Sequence, residues 1–350
     1  MHTYRGSRPT LEAVAAHAGV SRATVSRVVN GGRGVRAEVR EKVRHSVEEL
    51  GYVPNSAART LVTRRTGAVA VVIAEPESRV FADPFFAQQL RGISRELAGH
   101  DTQLLLMMLE RQKDYARIGH YLSAGHVDGA LMFSLHGDDP LPAMALHSGL
   151  PAVFGGRPGW PGAEDDEDLL YVDTDNRNGA RQAVAHLQER GRRKIAVING
   201  PLDQTSAVDR LLGYCDALGC ALQDTDPSLV AQGDFTAEGG ERAMARLLDS
   251  SPDLDAVFAG NDLMASGALR TLRARGLRVP ADVAVVGYDD LEPAAWADPP
   301  LTTVRQDVED MGTMMAELLL RRIGLTDETA KTAPLAPVVT PATLVVRESS

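Results

Sequence analysis

Short apolar runs alternate with amphipathic stretches through most of this 350-residue chain. The runs are rich in Val, Ile and Leu, and continuous apolar strands separated by helices are typical of parallel sheets covered on both faces. The predicted strands are 69–74, 103–109, 129–134, 152–155, 194–199, 256–260 and 284–287, and the predicted helices between them include 86–98, 177–190, 206–218, 239–248 and 263–276. This pattern predicts a two-lobed α/β body with one doubly wound sheet on each side of about residue 172.

The first 53 residues have a different, all-helical pattern. Val25, Val28 and Val29 share one helix face, and Ser21 before them is a good N-cap. A second apolar face of the same period runs through residues 11–18, and Gly19 stands where a tight turn needs a positive φ. Two short helices joined in this way indicate a helix-turn-helix, with an ordinary helical hairpin as the alternative. A third helix is predicted over 37–50, with Arg36 in its N-cap place.

Charge is divided unevenly along the chain. Residues 1–65 contain 12 Lys and Arg against 5 Asp and Glu, whereas the whole chain contains 37 against 47 and has a formal net charge of −10. A basic head on an acidic body is typical of a protein that binds phosphates with one end only. The distribution therefore favours nucleic acid as the partner of the helical segment.

Three runs of sequence resemble the LacI/GalR (lactose-repressor/galactose-repressor) family: TLEAVAAHAGVSRATVSRVVNG, VREKVRHSVEELGYVPNSAARTL and RRTGAVAVVI. The resemblance implies a homodimeric transcriptional regulator that binds a near-palindromic operator in double-stranded DNA. It implies a helix-turn-helix domain at 1–53, a hinge helix and linker at 54–66, and an effector-binding and dimerisation domain at 67–350. That domain would be periplasmic-binding-protein-like, with an N-lobe of about 67–172 and 302–328 and a C-lobe of about 173–301 and 329–350.

The same resemblance assigns residues of the second helix to DNA. Arg22, Ala23 and Arg27 are expected in the major groove, where Arg27 is the best candidate for a bidentate contact to guanine. Contacts to phosphates are expected from Ser21, Thr24 and Asn30.

The resemblance also changes the interpretation of residues 54–66. By itself this segment has the composition of a polar linker. In the family it is a hinge helix, which Asn55 would cap and whose small Ala58 would let two such helices pack in the minor groove. Leu61 matches the leucine wedge that partly unstacks the central base step.

Residues that follow the predicted strands are the candidates for an effector site, because open parallel sheets bind ligands beyond the carboxyl ends of their strands. The candidates matching effector positions of the family are Arg210, Phe235, Asn261, Asp289 and Gln306, and those placed by strand ends are Asp83, Phe85, Phe86 and Arg157. A single Asp or Asn after a strand is more often a cap or turn residue. Several converging ones, with aromatic rings, indicate a sugar site. Asp173, Asp175 and Asn176 are interpreted as structural.

The effector itself is suggested by local motifs. FADPFF, HVDGALMFSLHGDDPLP, FGGRP and GDFTAEGG look like the actinobacterial branch of the family that responds to cellobiose and related oligosaccharides. The sequence therefore predicts a repressor released from its operator by a sugar. The alternatives are a corepressor-dependent regulator binding a different small molecule, or a sugar-binding protein without regulatory DNA binding.

An enzyme is not expected. The sequence lacks a Gly-x-Ser-x-Gly elbow, a Walker loop, a His-Glu-x-x-His and a Gly-x-Gly-x-x-Gly at a strand–helix junction. His126 and His136 are interpreted as capping or packing residues. Cys215 and Cys220 lack partners at metal spacing, so neither a metal nor a cofactor is predicted.

A cytoplasmic location is expected. Residues 1–8 have no apolar core of a signal peptide, and no run of about 18 apolar residues occurs. These features disfavour a stand-alone periplasmic binding protein and a membrane partner. No leucine heptads follow the last predicted strand at 344–350, so a tetramerisation helix is not expected.

Overall fold

The computed structural model describes residues 9–29, 32, 34–53, 65–109, 112–137, 139–163, 166–326 and 334–350. The chain divides into two compact units, Met1–Thr66 and Gly67–Ser350. Four residues predicted to contact DNA lie outside the described residues: Asn30, Asn55, Ala58 and Leu61.

The first unit contains the three predicted helices, α1 (Leu11–Ala18), α2 (Arg22–Val29) and α3 (Ala37–Leu50). Gly19 ends α1 with φ 65°, as the tight turn requires. The Ser21 hydroxyl accepts a hydrogen bond from the Thr24 amide at 3.2 Å, which confirms the predicted cap of α2. Arg36 precedes α3 without a side-chain cap hydrogen bond. The predicted helix pair and its turn are therefore confirmed.

A small apolar core holds these three helices together. Its buried members are Val14, Ala15, Val25, Val43 and Tyr52. Ser46, which is buried on α3, also bonds His17 of α1 through its hydroxyl, with 3.0 Å between Oγ and Nδ1. This polar link between α1 and α3 is not indicated by the apolar periodicity.

The second unit is built on two six-stranded sheets. The first has the order β11-β5-β4-β3-β1-β2, with β1 Ala68–Ile73, β2 Gln103–Met108, β3 Gly129–Phe133, β4 Ala152–Gly155, β5 Tyr171–Thr174 and β11 Val338–Thr340. The second has the order β12-β10-β9-β8-β6-β7, with β6 Ile195–Asn199, β7 Val230–Gln232, β8 Ala256–Ala259, β9 Ala284–Asp289, β10 Thr302–Arg305 and β12 Thr343–Val345. Neighbouring strands pair in parallel except β10 with β12, which are antiparallel.

Helices cover both sheets. They are α4 Glu77–Ala82, α5 Pro84–Gly99, α6 Gln112–Ser123, α7 Leu141–His147, α8 Asn176–Glu189, α9 Thr205–Leu218, α10 Ala237–Ser250, α11 Asp262–Ala274, α12 Glu292–Ala295 and α13 Val308–Arg322. Glycines allow a close crossing between α5 and α13. A Cβ at Gly92 would lie 2.0 Å from the Glu309 carbonyl oxygen, and one at Gly312 would lie 2.2 Å from that of Gln89.

The structure corrects the predicted lobe boundaries. Residues 302–305 form β10, which pairs in parallel with β9 and belongs to the second sheet, whereas β11 pairs with β5 in the first. Residues 173–174 likewise complete β5 of the first sheet. The chain therefore crosses between the lobes after residue 305 and again between β11 and β12, rather than near 302 and 328. The physical reason is strand pairing. Because β10 pairs with β9 in the second sheet, the chain leaves this lobe only at the carboxyl end of β10.

Candidate functional site

A cavity of about 120 Å³ lies between the carboxyl ends of the two sheets. Its walls come from both lobes. All nine side chains predicted for the effector site line it: Asp83, Phe85, Phe86, Arg157, Arg210, Phe235, Asn261, Asp289 and Gln306. The two sheets bring these residues together because each follows, or lies at the end of, a strand that points into the cleft.

Arg210 and Asp289 form the centre of the second-lobe wall. Arg210 projects from α9, donates through Nε to Asn176 Oδ1 at 2.9 Å, and lies with one terminal nitrogen 3.6 Å from Asp289 Oδ1. Gln306 donates to the same carboxylate oxygen at 2.5 Å. Burial raises the pKa of Asp289 to about 7, although the charge of Arg210 acts in the opposite direction. Burial thus opposes ionisation of this carboxyl group, while the facing guanidinium group of Arg210 favours it.

The backbone around the cavity is strained. Among the described residues, Ser134, Phe235 and Asp289 line the cavity with φ values of 56°, 61° and 109°. Each such conformation costs about 1–3 kcal/mol for a residue with a side chain, and such residues concentrate at ligand sites. Gly200 leaves room for the Phe235 ring, because a Cβ at residue 200 would lie 2.1 Å from Cζ of Phe235.

Two of the predicted residues also cap helices. Asp83 precedes α5 and accepts from the Phe85 amide at 3.0 Å, and burial raises the pKa of its carboxyl group. Asn261 precedes α11, accepts from the Met264 amide at 2.8 Å and donates to the Phe235 carbonyl at 3.0 Å. Capping and lining the cavity are therefore combined in the same side chains.

Arg79 and Gln89 belong to the first-lobe wall but were not predicted. The Arg79 guanidinium carbon lies 5.8 Å from the ring centroid of Phe86 and 5.5 Å from that of Phe235. Within the part of the chain that the structure describes, Arg79 Nε and Gln89 Oε1 are buried without a hydrogen-bond partner. Such atoms favour a ligand that offers both donors and acceptors, as hydroxyl groups do. Arg79 lies on α4 and Gln89 on α5, in the same segment after β1 as the predicted Asp83, Phe85 and Phe86.

His136 joins the two lobes, so its interpretation as a capping or packing residue is wrong. Its Nδ1 lies 2.7 Å from Asp203 Oδ2 of the second lobe, and its Nε2 lies 3.5 Å from Glu75 Oε1 of the first. The hydrogen bond to Glu75, helped by Asp203 and opposed by burial, raises the pKa of His136 to about 9. Burial opposes ionisation of Glu75, but His136 and Arg79 hold the pKa of its carboxyl group below the ordinary value. His136 follows the carboxyl end of β3, and this position could have indicated that it lies at the cleft.

Each cationic side chain on the described wall of the cavity faces a carboxylate. The pairs are Arg79 with Glu75, His136 with Asp203, Arg157 with Asp209, and Arg210 with Asp289. A terminal nitrogen of Arg157 donates a hydrogen bond to Asp209 Oδ2 of α9 at 2.6 Å. Because these cations are already compensated, the wall suits a neutral polyhydroxy ligand better than a phosphate or a carboxylate.

Asp173, Asp175 and Asn176 make structural hydrogen bonds, as interpreted. Asp175 is the N-cap of α8 and accepts from the Asn178 amide. Asp173 and Asn176 also line the cavity, where Asn176 donates to Asp173 at 3.1 Å and accepts from Arg210. Burial raises the pKa of Asp173. Their place at the cavity follows from β5, a short strand that the apolar pattern did not reveal.

In the ranges given above, no group of three or more His, Cys, Asp or Glu is placed to hold a metal ion. None of the described helices is long and apolar enough to cross a membrane. Cys215 and Cys220 are both free thiols.

The exposed face of α2 is the candidate nucleic-acid interface. Arg22, Ala23 and Arg27 are exposed, while Val25 beneath them is fully buried. Arg22 pairs with Glu12 of α1 at 3.0 Å, and the Ser21 and Thr24 hydroxyls lie 2.9 Å apart. An exposed helix face with two arginines and two hydroxyls is suited to base edges and phosphates.

The fold and these two surfaces define a DNA-binding regulatory protein with a ligand-binding α/β domain. Residues 10–55 match the model of bacterial regulatory proteins of the lacI family, and residues 184–350 match that of a periplasmic binding protein-like domain. The chain is 51% identical over 346 residues to the HTH-type transcriptional regulator CelR of Thermobifida fusca, covering 99% of each protein. It therefore belongs to the LacI family of transcriptional regulators.

Solved structures agree with this assignment. A transcriptional regulator CelR–cellobiose complex is 48% identical, with a TM-score of 0.75 over 98% of this chain and 100% of that one. A lac repressor dimer bound to operator and the anti-inducer ONPF is 30% identical, with a TM-score of 0.82 over 98% and 99%.

Proposed function

We propose that this protein is a homodimeric repressor that binds a near-palindromic operator in the cytoplasm and is released by cellobiose or a related β-linked gluco-oligosaccharide. The observation that carries the proposal is the cavity wall, in which the four cationic side chains are paired with carboxylates. A neutral ligand with many hydroxyls suits such a wall. The 51% identity to CelR and the cellobiose complex of a CelR support this class of sugar.

The nine predicted residues would recognise a sugar in two ways, by hydrogen bonds to its hydroxyls and by aromatic contact with its ring. The polar groups of Arg210, Asp289 and Gln306 can bind neighbouring hydroxyls in pairs. The rings of Phe86 and Phe235 can cover the apolar face of a sugar ring. Asn261, Asp83, Phe85 and Arg157 complete the proposed effector site.

The helical unit supplies the proposed DNA contacts. Arg27 would read guanine and Arg22 and Ala23 would lie beside it in the major groove, while Ser21, Thr24 and Asn30 would bind phosphates. Asn55, Ala58 and Leu61 would form the hinge helix in the minor groove. Binding by this unit should fall steeply with salt, because each neutralised phosphate releases counterions.

Fluorescence anisotropy of the full-length protein tests the proposal. The probe is a pool of palindromic duplexes with a central CG step, titrated at two salt concentrations. We expect tight, salt-sensitive binding that cellobiose abolishes, while maltose, its α-linked isomer, leaves it unchanged. Binding that appears only when a small molecule is added would show a corepressor-dependent regulator instead. Absence of specific DNA binding would leave only the sugar-binding alternative.

A further inference from the structure

The residues around the cavity differ in how deeply they are buried. Arg210, Asn261 and Asp289 are 3–5% exposed and form its inner end. His136 and Asp203 have side chains 28% and 50% exposed and lie toward its outer end. Both groups line the same cavity.

Trp160 supplies an aromatic ring to this same cavity. It lies in the connection between β4 and β5, and its ring meets Phe154 edge-on, with centroids 5.3 Å apart at 70°. It is half-buried against the first-lobe core while also lining the cavity. A large flat ring that lines a cavity can cover the C–H surface of a sugar.

The segment that carries Trp160 is held against the second lobe. The Thr205 hydroxyl donates to the Arg157 carbonyl at 2.6 Å, and the Arg157 side chain pairs with Asp209. Gly159 permits this approach, because a Cβ there would lie 2.6 Å from the Thr205 methyl group. Both lobes thus fix the position of Trp160 before a ligand arrives, which lowers the ordering cost of binding.

Gln204 provides the polar side of the outer end. It is 7% exposed, and its Nε2 is 3.3 Å from His136 Nε2, 3.4 Å from Glu75 Oε1 and 3.5 Å from Ser134 Oγ. The contacts to Glu75 and Ser134 are long hydrogen bonds that Gln204 donates, so a ligand hydroxyl can replace one of them at little cost. With the ring of Trp160, this amide offers one apolar and one polar contact to a sugar unit.

We propose that the cleft contains two sugar subsites, and that Trp160 and Gln204 form the outer one. The inner end, around Arg210 and Asp289, holds one glucose unit, and the indole of Trp160 covers the second. Selection of a disaccharide over a monosaccharide is therefore determined mainly by Trp160. This inference rests on the proposed function, because it takes a β-linked gluco-oligosaccharide as the effector.

Titration calorimetry of full-length protein with cellobiose and with glucose tests the subsite. The variants are Trp160→Leu, which keeps an apolar side chain without a flat ring, and Trp296→Leu as a matched control on an exposed tryptophan away from the cavity. We expect Trp160→Leu to raise the Kd for cellobiose by at least about tenfold and that for glucose by less than about twofold. The control should change neither.

Fluorescence supplies a second readout. The chain has two tryptophans, so Trp160 is the sole indole in a Trp296→Phe background. Cellobiose should change its emission and glucose should not. Equal loss of affinity for both sugars, or emission that cellobiose leaves unchanged, would overturn the outer subsite while the proposed function stands. Wild-type protein that binds neither sugar would overturn both.

Discussion

His136 and Asp203 connect the two lobes across the mouth of the cleft, with 2.7 Å between Nδ1 and Oδ2. The hydrogen bond of His136 to Glu75, together with Asp203 and against the effect of burial, raises the pKa of His136 to about 9. The imidazolium is therefore present at neutral pH and holds a carboxylate from each lobe.

This link predicts a pH dependence of stability. A histidine whose pKa is higher in the folded than in the unfolded state binds its proton more tightly when folded. Its contribution is fully present below pH 6.5 and is lost as the pH rises through about 9. Urea unfolding midpoints of the wild type should therefore fall over this interval, and His136→Gln should flatten the curve. His147→Gln, on an exposed helix end, is the control. An unchanged slope in His136→Gln would show that other groups cause the dependence.

Gly200 is predicted to be essential for the position of Phe235. A methyl group at residue 200 would overlap the phenyl ring, because the added Cβ would lie 2.1 Å from Cζ of that ring. We expect Gly200→Ala to cost about 1–3 kcal/mol of stability and to weaken effector binding, measured by thermal denaturation and calorimetry. Gly99→Ala is the control, because no atom lies within 4 Å of its Cβ position. Retained effector affinity in Gly200→Ala would exclude Phe235 from the site.

Arg210→Ala should separate effector binding from DNA binding. Its loss leaves Asn176 Oδ1 without its donor and Asp289 without a facing charge, at a cost of about 3–5 kcal/mol for a broken buried pair. Circular dichroism would first establish that the variant is folded. We then expect operator binding that no sugar reverses, whereas Arg275→Ala on the surface should behave as wild type. A folded variant that lost DNA binding and kept sugar binding would refute the proposed effector site.

Arg27→Ala should weaken specific DNA binding by about 1–3 kcal/mol and relax the preference at one base pair. Arg27 is exposed on α2, so the substitution removes the proposed base contact without disturbing the core around Val25. Anisotropy with a set of single-base operator variants measures both effects. Arg44→Ala on α3 is the control for loss of positive charge alone. A uniform loss across all operator variants would instead place Arg27 on the phosphate backbone.

Much of the architecture could be predicted because it is encoded by local patterns. The spacing of Val25, Val28 and Val29 and the cap at Ser21 determine α2, and continuous apolar runs determine the central strands of both sheets. The carboxyl ends of those strands, together with the family resemblance, then located nine residues that the structure places around one cavity. That they bind an effector stays a prediction.

What only the tertiary structure decided depends on contacts between distant segments. The short strands β5, β11 and β12 have too few residues to show a period, so the sheet to which each belongs is decided by pairing and register. Arg79, Gln89 and Trp160 lie near predicted residues in the sequence, but that their side chains line the cavity is decided by how the helices and the β4–β5 connection pack. The pKa values of His136 and Asp289 likewise depend on neighbours and burial that folding supplies. The sequence by itself therefore determined the local elements and the positions at strand ends, while close packing of remote residues decided the lobe boundaries, the charge pairing and the shape of the cleft.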